Sequence, residues 1–252
     1  MKALPNGIVL LVLLVSLGIG QEQICPPDVA TAFTGDQVAI RQLTVMAVSG
    51  KPGNAQAQAC LGLVYSSAEG VTKDAGQAVF WFRKSAELGY AAGQMFLGES
   101  YFYGNGVPKD AAQAVFWYRK AAAQGYAAGQ YSLGLMYDTG VGVPKDAAQA
   151  VFWYGKAAER GDTDAQSNLG ASFAVGVGVP KDLVMAYMWR NLAAAKGNEI
   201  AKNARDALEK EMTPAQIAEA QKLSREWKPR NEAIANWRRI ERTARDHCVI
   251  IR

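Results

Sequence analysis

An all-α superhelix, a solenoid of four stacked helix–loop–helix units closed by helical caps, is the fold class this sequence predicts. The first observation is literal repetition. GVPKDAAQAVFWY stands at 106–118 and again at 142–154, with near-copies at 70–82 (GVTKDAGQAVFWF) and 178–190 (GVPKDLVMAYMWR). A fixed period of this size marks stacked units, whereas an active site needs its groups once. The second observation is helical spacing inside each unit: Leu61, Leu97, Leu133 and Leu169 are followed four residues later by Tyr65, Tyr101, Tyr137 and Phe173. Spacing of i, i+4 places both side chains on one helix face.

The elements follow in chain order. Lys2 precedes an apolar run at 8–19 (IVLLVLLVSLGI), with small Gly18 near its end and Gly20 just after it. The run is short for a membrane span, so 1–20 is expected to be a signal peptide cleaved near Gly20, with an uncleaved anchor as the alternative. Export would place the chain in the periplasm or outside the cell, where disulfides form. Residues 21–53 form a linker and an N-terminal cap helix, with Asp36–Gly50 standing as a lone second helix of a unit. The units are 54–89, 90–125, 126–161 and 162–197.

Each unit opens with helix A, over about 54–67 in the first. A glycine follows each leucine (Gly62, Gly98, Gly134, Gly170). Glycine in a helix interior costs about 1 kcal/mol, so its recurrence predicts close helix contact. A loop with Gly70, Gly106, Gly142 and Gly178 leads to Asp74, Asp110, Asp146 and Asp182, three of them with glutamine three residues on. This predicts an aspartate N-cap and a capping box for helix B. Trp81, Trp117, Trp153 and Trp189 lie at helical spacing beside small alanines and are assigned to the core. Gly89, Gly125, Gly161 and Gly197 close helix B with left-handed caps. The fourth unit departs most, with Met188 where the others have phenylalanine and Arg190 where they have an aromatic, which predicts weaker packing of its helix B. Residues 198–227 supply two C-terminal capping helices, the second started by Thr213-Pro214-Ala215-Gln216.

The pattern AQxxLGxxY, GxGVxKD, AxxWxxKAAxxG resembles the Sel1-like repeat, a relative of the tetratricopeptide repeat with a longer internal loop. The likeness is plainest at Ala165–Gly170 and Gly106–Gly125, and MTPAQIAEAQKLSREW (212–227) resembles the end of bacterial members. The resemblance implies an α/α superhelix that binds other proteins, in bacteria often in the envelope, in signalling, polymer secretion or host contact. It also implies that the A helices line the concave face. Positions 59, 63 and 66 and their equivalents share one A-helix face yet differ between units. They read Ala59/Leu63/Ser66, Met95/Glu99/Phe102, Tyr131/Leu135/Asp138 and Ser167/Ala171/Ala174. Repeated columns carry the fold, so the varied ones are free to carry recognition. Met95, Phe102 and Tyr131 are expected as apolar anchors beside Leu135, with Glu99 and Asp138 as polar selectors. The alternative is unconstrained variation of exposed positions.

Composition and motifs narrow the function classes. The chain has one histidine and three cysteines, and no HExxH or CxxC. No metal, cofactor or catalytic residue is expected on that inventory. No SxxK, SDN, KTG or GxSxG motif occurs. Some cysteine-rich Sel1-like relatives have been described as penicillin-binding or β-lactamase-like, which makes a cell-wall or β-lactam-directed hydrolase the alternative to a non-enzymatic scaffold. Their pattern has a cysteine pair in every repeat, whereas here only Cys60 lies inside one. Cys25 and Cys60 are expected to pair, because only nearby units of a linear stack touch; three free thiols are the alternative.

Charge separates the tail from the body. Residues 228–252 hold seven Lys/Arg and three Asp/Glu, leaving 20 of each sign elsewhere. A neutral body argues against a nucleic-acid groove. Ile234, Trp237, Ile240, Ala244, Cys248 and Ile251 recur at intervals of three and four, so 228–252 reads as a basic amphipathic tail. It is either a cap with a solvated basic face or a docking helix for an acidic partner or anionic membrane surface. Cys248 is a candidate for linking two copies as a dimer. Deleting 228–252 is expected to leave the helical melting transition in place. It is also expected to weaken salt-sensitive co-sedimentation with anionic vesicles or binding to an acidic partner; a markedly lower melting temperature, with no vesicle binding by the full chain, would identify a structural cap instead.

Overall fold

The repeats are built as eleven α-helices in a computed structural model that describes Cys25 and residues 32–51, 53–67 and 71–230. The signal-peptide expectation at 1–20, Cys248 and all but the first three residues of the tail lie outside the described residues. Among the described residues there is no strand, and no helix is long and apolar enough to cross a membrane. The N-terminal cap is α1 (Gln37–Val48). The A and B helices of the units alternate as α2 (Asn54–Ser67), α3 (Ala75–Glu87), α4 (Ala91–Tyr103), α5 (Ala111–Ala123), α6 (Ala127–Thr139), α7 (Ala147–Glu159), α8 (Thr163–Val175) and α9 (Leu183–Ala195). The C-terminal caps are α10 (Glu199–Leu208) and α11 (Pro214–Glu226).

Each helix B starts where its aspartate stops the chain from fraying. Asp74, Asp110, Asp146 and Asp182 have extended backbone, and each accepts from the N–H three residues on. That N–H is one of the orphan donors of a helix start. The full reciprocal box forms at Thr213, where the Gln216 side chain accepts from the Thr213 N–H at 2.9 Å. The same aspartates tie the loop to helix A: Asp110 N–H donates to the Tyr101 carbonyl, and Asp74, Asp146 and Asp182 repeat the bond on Tyr65, Tyr137 and Phe173.

Inside a unit, helices A and B meet at the glycine column. The Tyr154 ring lies so close to Gly134 that a Cβ there would stand 2.7 Å from it; Gly98 meets Tyr118 in the same way, Gly62 meets Phe82 and Gly170 meets Arg190. An added methyl would force ring and backbone apart, a cost of about 1–3 kcal/mol. That exceeds the roughly 1 kcal/mol lost to glycine's freedom.

Between units the register is set by polar groups. The buried Gln94 donates its side-chain amide to the Ala86 carbonyl at the end of the preceding helix B, and Gln130 and Gln166 do the same to Ala122 and Ala158. Gln58 donates to Ala47 of α1 at 2.8 Å, so α1 fills the place of a helix B. The loop glycines add a second lock. Gly106 has φ +73°, and any Cβ on it would overlap the Ala75 carbonyl of the previous unit; Gly142 and Gly178 abut Ala111 and Ala147 likewise. Cys25 and Cys60 are joined as a disulfide with Cα atoms 5.2 Å apart, pinning the N-terminal segment onto the first unit. Closing such a loop is worth about 4 kcal/mol in the chain-entropy picture.

The fourth unit corrects the expectation of weak packing. Phe152 in the third unit is 51% exposed, as are its equivalents Phe80 and Phe116 in large part, whereas Met188 is 5% and Trp189 7% exposed. The cause is α11, which packs on α9: Ser224 Oγ donates to the Met188 carbonyl at 3.4 Å, and the Trp227 ring sits edge-on to Trp189 at 6.1 Å. The other tryptophans are half-buried between units, with Trp117 and Trp153 against the clusters of the preceding unit.

Gly134→Ala is expected to destabilise the protein by about 1–3 kcal/mol, read as a lower midpoint in urea, while Gly155→Ala, which meets nothing within 4 Å, leaves the midpoint unchanged or raised.

Candidate functional site: the A-helix groove

Helices α2 and α4, and α4 and α6, approach one another more closely than any pair of B helices does. In a stacked superhelix the layer whose members converge is the inner one. The A helices of the first three units therefore line the concave side; the columns at 63 and 66 stay partly exposed there, whereas Ala59 and Met95 of the 59 column are buried.

The six expected recognition residues divide by burial. Met95 is corrected: it is 8% exposed, held where α4 meets α6, with the Ser132 hydroxyl 3.9 Å from its sulfur. It packs successive A helices and is not available as an anchor. Phe102, Tyr131, Leu135, Glu99 and Asp138 are half-buried. Phe102 stands edge-on to Tyr103, and the Lys109 ammonium lies over its ring at 5.8 Å. Tyr131 tilts against Tyr154 with centroids 5.9 Å apart. Asp138 accepts from the Tyr154 hydroxyl at 3.3 Å.

Tyr118 and Tyr154 were not expected in this site, because they belong to B helices. The glycine column admits them. With no side chain at Gly98 and Gly134, their rings pack directly onto helix A and lie buried beneath the groove, at 3% and 1% exposure. Asn168 of α8 stands near both Tyr131 and Tyr154, where the third unit meets the fourth. The signal was present in the sequence as the column Phe82, Tyr118, Tyr154, Arg190, which turns from apolar to phenolic to cationic along the stack.

The electrostatics of the groove follow from burial. Burial pushes the Glu99 carboxyl up to about 7, with no cation offsetting it. Burial also raises the Tyr118 phenol, and the neighbouring Glu99 and Tyr103 add to the effect. The Tyr154 phenol is raised first by burial and then by the Asp138 charge. At the far end, burial lowers the Arg190 guanidinium. Among the described residues no three of His, Cys, Asp and Glu come together as a metal cluster.

The family model for the Sel1 repeat matches four times in tandem, at 55–90, 91–126, 127–162 and 163–198. The chain belongs to the Sel1-repeat family. Two solved structures are similar over most of it. One is a protective antigen present in uropathogenic Escherichia coli strains and displaying an SLR fold, at 34% identity and TM-score 0.67, covering 83% of this chain and 50% of that one. The other is a Sel1 repeat protein from Oxalobacter formigenes, at 34% identity and TM-score 0.64, covering 72% of this chain and 55% of that one. This chain thus spans about half the length of these relatives. No curated protein matches it.

Sel1-repeat proteins are in general protein-interaction scaffolds. For this member the four units share their leucine, glycine, glutamine and tryptophan columns and differ in the groove.

Glu99→Gln is expected to raise thermal stability at about pH 8 by several degrees and to change it little at about pH 5. The folded carboxyl titrates near 7, above its ordinary value of 4.5, so the folded state holds the proton more tightly. The penalty of burying the charge is absent below 4.5, grows as pH rises, and is complete above 7, at no more than about 3 kcal/mol. Equal melting shifts at both pH values would show a solvated carboxylate.

Proposed function

We propose that this chain is a non-enzymatic scaffold or regulator in the bacterial cell envelope that binds a protein partner along the concave A-helix face. The observation that carries this reading is the division of columns. Leucine, glycine, glutamine and tryptophan recur in register and hold the stack, while the half-buried side chains that reach the groove change from unit to unit. A stack alone needs no such variation. Phe102, Tyr131, Leu135 and Asp138 supply aromatic and apolar area with a polar selector, the composition of a protein-binding centre. The family's general role supports the binding class. An envelope location is supported by the basic-then-apolar N-terminus read in the sequence and by the disulfide between Cys25 and Cys60, a bond favoured in oxidising compartments.

The test is site-specific photocrosslinking in living cells. A photoreactive residue at Leu135 is expected to trap a partner protein, and one at the outward-facing Phe116 is not. Phe102→Ala combined with Tyr131→Ala is expected to weaken the trapped interaction by about tenfold or more, with the far-UV circular dichroism unchanged. An unweakened interaction in the folded double variant would remove the groove from the account, and turnover of nitrocefin or murein by the purified protein would favour the hydrolase reading.

A further inference from the structure

The recognition row at the centre of the groove reads Leu63, Glu99, Leu135, Ala171 along α2, α4, α6 and α8. A single acid stands in an otherwise apolar row. Glu99 is half-buried, and none of the ion pairs among the described residues involves it. Aromatic residues stand near its position, Phe102 and Tyr103 with exposed area and Tyr118 buried beneath. Phe102 and Tyr103 follow one turn later on α4, and the Tyr118 ring, admitted by Gly98, stands close enough for the two groups to feel each other's charge. A carboxylate beside aromatic faces is a receptor for a cation: it supplies the opposite charge, and the rings supply their negative faces. The cluster already draws one, since the Lys109 ammonium lies over the Phe102 ring. An anionic ligand is disfavoured here by Glu99 and by Asp138 in the next unit.

We propose that Glu99 receives a lysine or arginine side chain from an extended segment of the protein partner, flanked on that segment by apolar residues that meet Leu63 and Leu135. This rests on the groove being the partner-binding face. The spacing follows from the stack. Neighbouring packed helices stand about 10 Å apart, which an extended segment of polyproline II form covers in one turn of three residues, at about 3.1 Å each, with positions i and i+3 on the same side. The segment therefore has the form apolar-x-x-cation-x-x-apolar. Burial of the uncompensated carboxyl is consistent with the assignment: a partner cation would relieve a penalty that the free protein carries. Glu99 is thus the specificity-determining point of the groove, with Phe102 and Tyr118 shaping the space around it.

The experiment selects peptides from a phage-displayed library of random segments roughly twelve residues long on the oxidised full chain, then measures the enriched peptides by fluorescence anisotropy. Enriched peptides are expected to carry lysine or arginine with apolar residues three positions away on each side. Replacing that cation by norleucine is expected to weaken binding by about tenfold or more on the wild-type protein and by less than about twofold on Glu99→Gln. Circular dichroism checks that Glu99→Gln is folded. Enriched peptides that lack the cation, or whose affinity is indifferent to Glu99→Gln, overturn the proposal. If those peptides still lose affinity on Phe102→Ala with Tyr131→Ala, the groove reading stands without it. Peptides indifferent to both variants, or no enrichment at all, overturn the groove reading as well.

Discussion

Everything in this molecule depends on the close crossing of each helix A with its own helix B at a glycine. At Gly62, Gly98 and Gly134 an aromatic ring from helix B occupies the space a side chain would have taken, and at Gly170 the Arg190 stem does. The crossing fixes the separation within a unit, and the separation fixes which groups can meet between units. The Gln94–Ala86 bond and its equivalents at Gln130 and Gln166 form only because the preceding helix B presents its last-turn carbonyls at that distance. A solenoid has no single core, so its stability is a sum of such interfaces. The repeated columns are the interfaces written into the chain.

The two ends solve a different problem, since a terminal unit has an unpartnered face. At the N-terminal end α1 supplies the missing helix B, offering the Ala47 carbonyl to Gln58 as later B helices offer theirs. The Cys25–Cys60 bond adds a covalent tie in the same place, where Leu43, Leu61 and Phe33 form a small cluster of their own. At the C-terminal end α10 and α11 both pack on α9. Tyr187 donates to Glu209 at 2.8 Å on one side, and Trp227 meets Trp189 on the other. The chain then continues to the outer edge of the third unit, where Arg230 N–H donates to the Glu159 carbonyl at 2.7 Å and its guanidinium pairs with the Glu159 carboxylate. That exposed ion pair orients the exit of the chain more than it stabilises the fold.

The same crossing that holds a unit together also shapes the groove. Rings that fill the glycine column lie buried beneath the concave face, so a change on helix B shifts the surface presented by helix A. Tyr154 is at once the packing partner of Gly134, the neighbour of Tyr131 and the donor to Asp138. Structural and recognition roles therefore meet in one side chain, and the groove is rigid where it is aromatic. Rigid aromatic groups lose little conformational entropy when a partner binds.

The sequence by itself determined the class of fold, the order of the helices and most of their ends. Aspartate caps, helix-closing glycines and i, i+4 apolar pairs act within a few residues, and four copies made each column legible against chance. It also pointed to the Cys25–Cys60 pair, because a linear stack leaves few neighbours to choose from. The half-buried members of the recognition row, Glu99, Phe102, Tyr131, Leu135 and Asp138, were legible as columns that vary. Only the tertiary structure decided which of the varied residues face solvent. Met95 shares its column with Tyr131, yet it lies buried where α4 meets α6, since burial depends on how far neighbouring helices converge and not on position within one helix. Tertiary packing also buried Tyr118 and Tyr154 against the glycine column beneath the groove and Met188 beneath α11. These are contacts between elements, and a periodic pattern read along one chain carries the spacing within helices but not the distances between them.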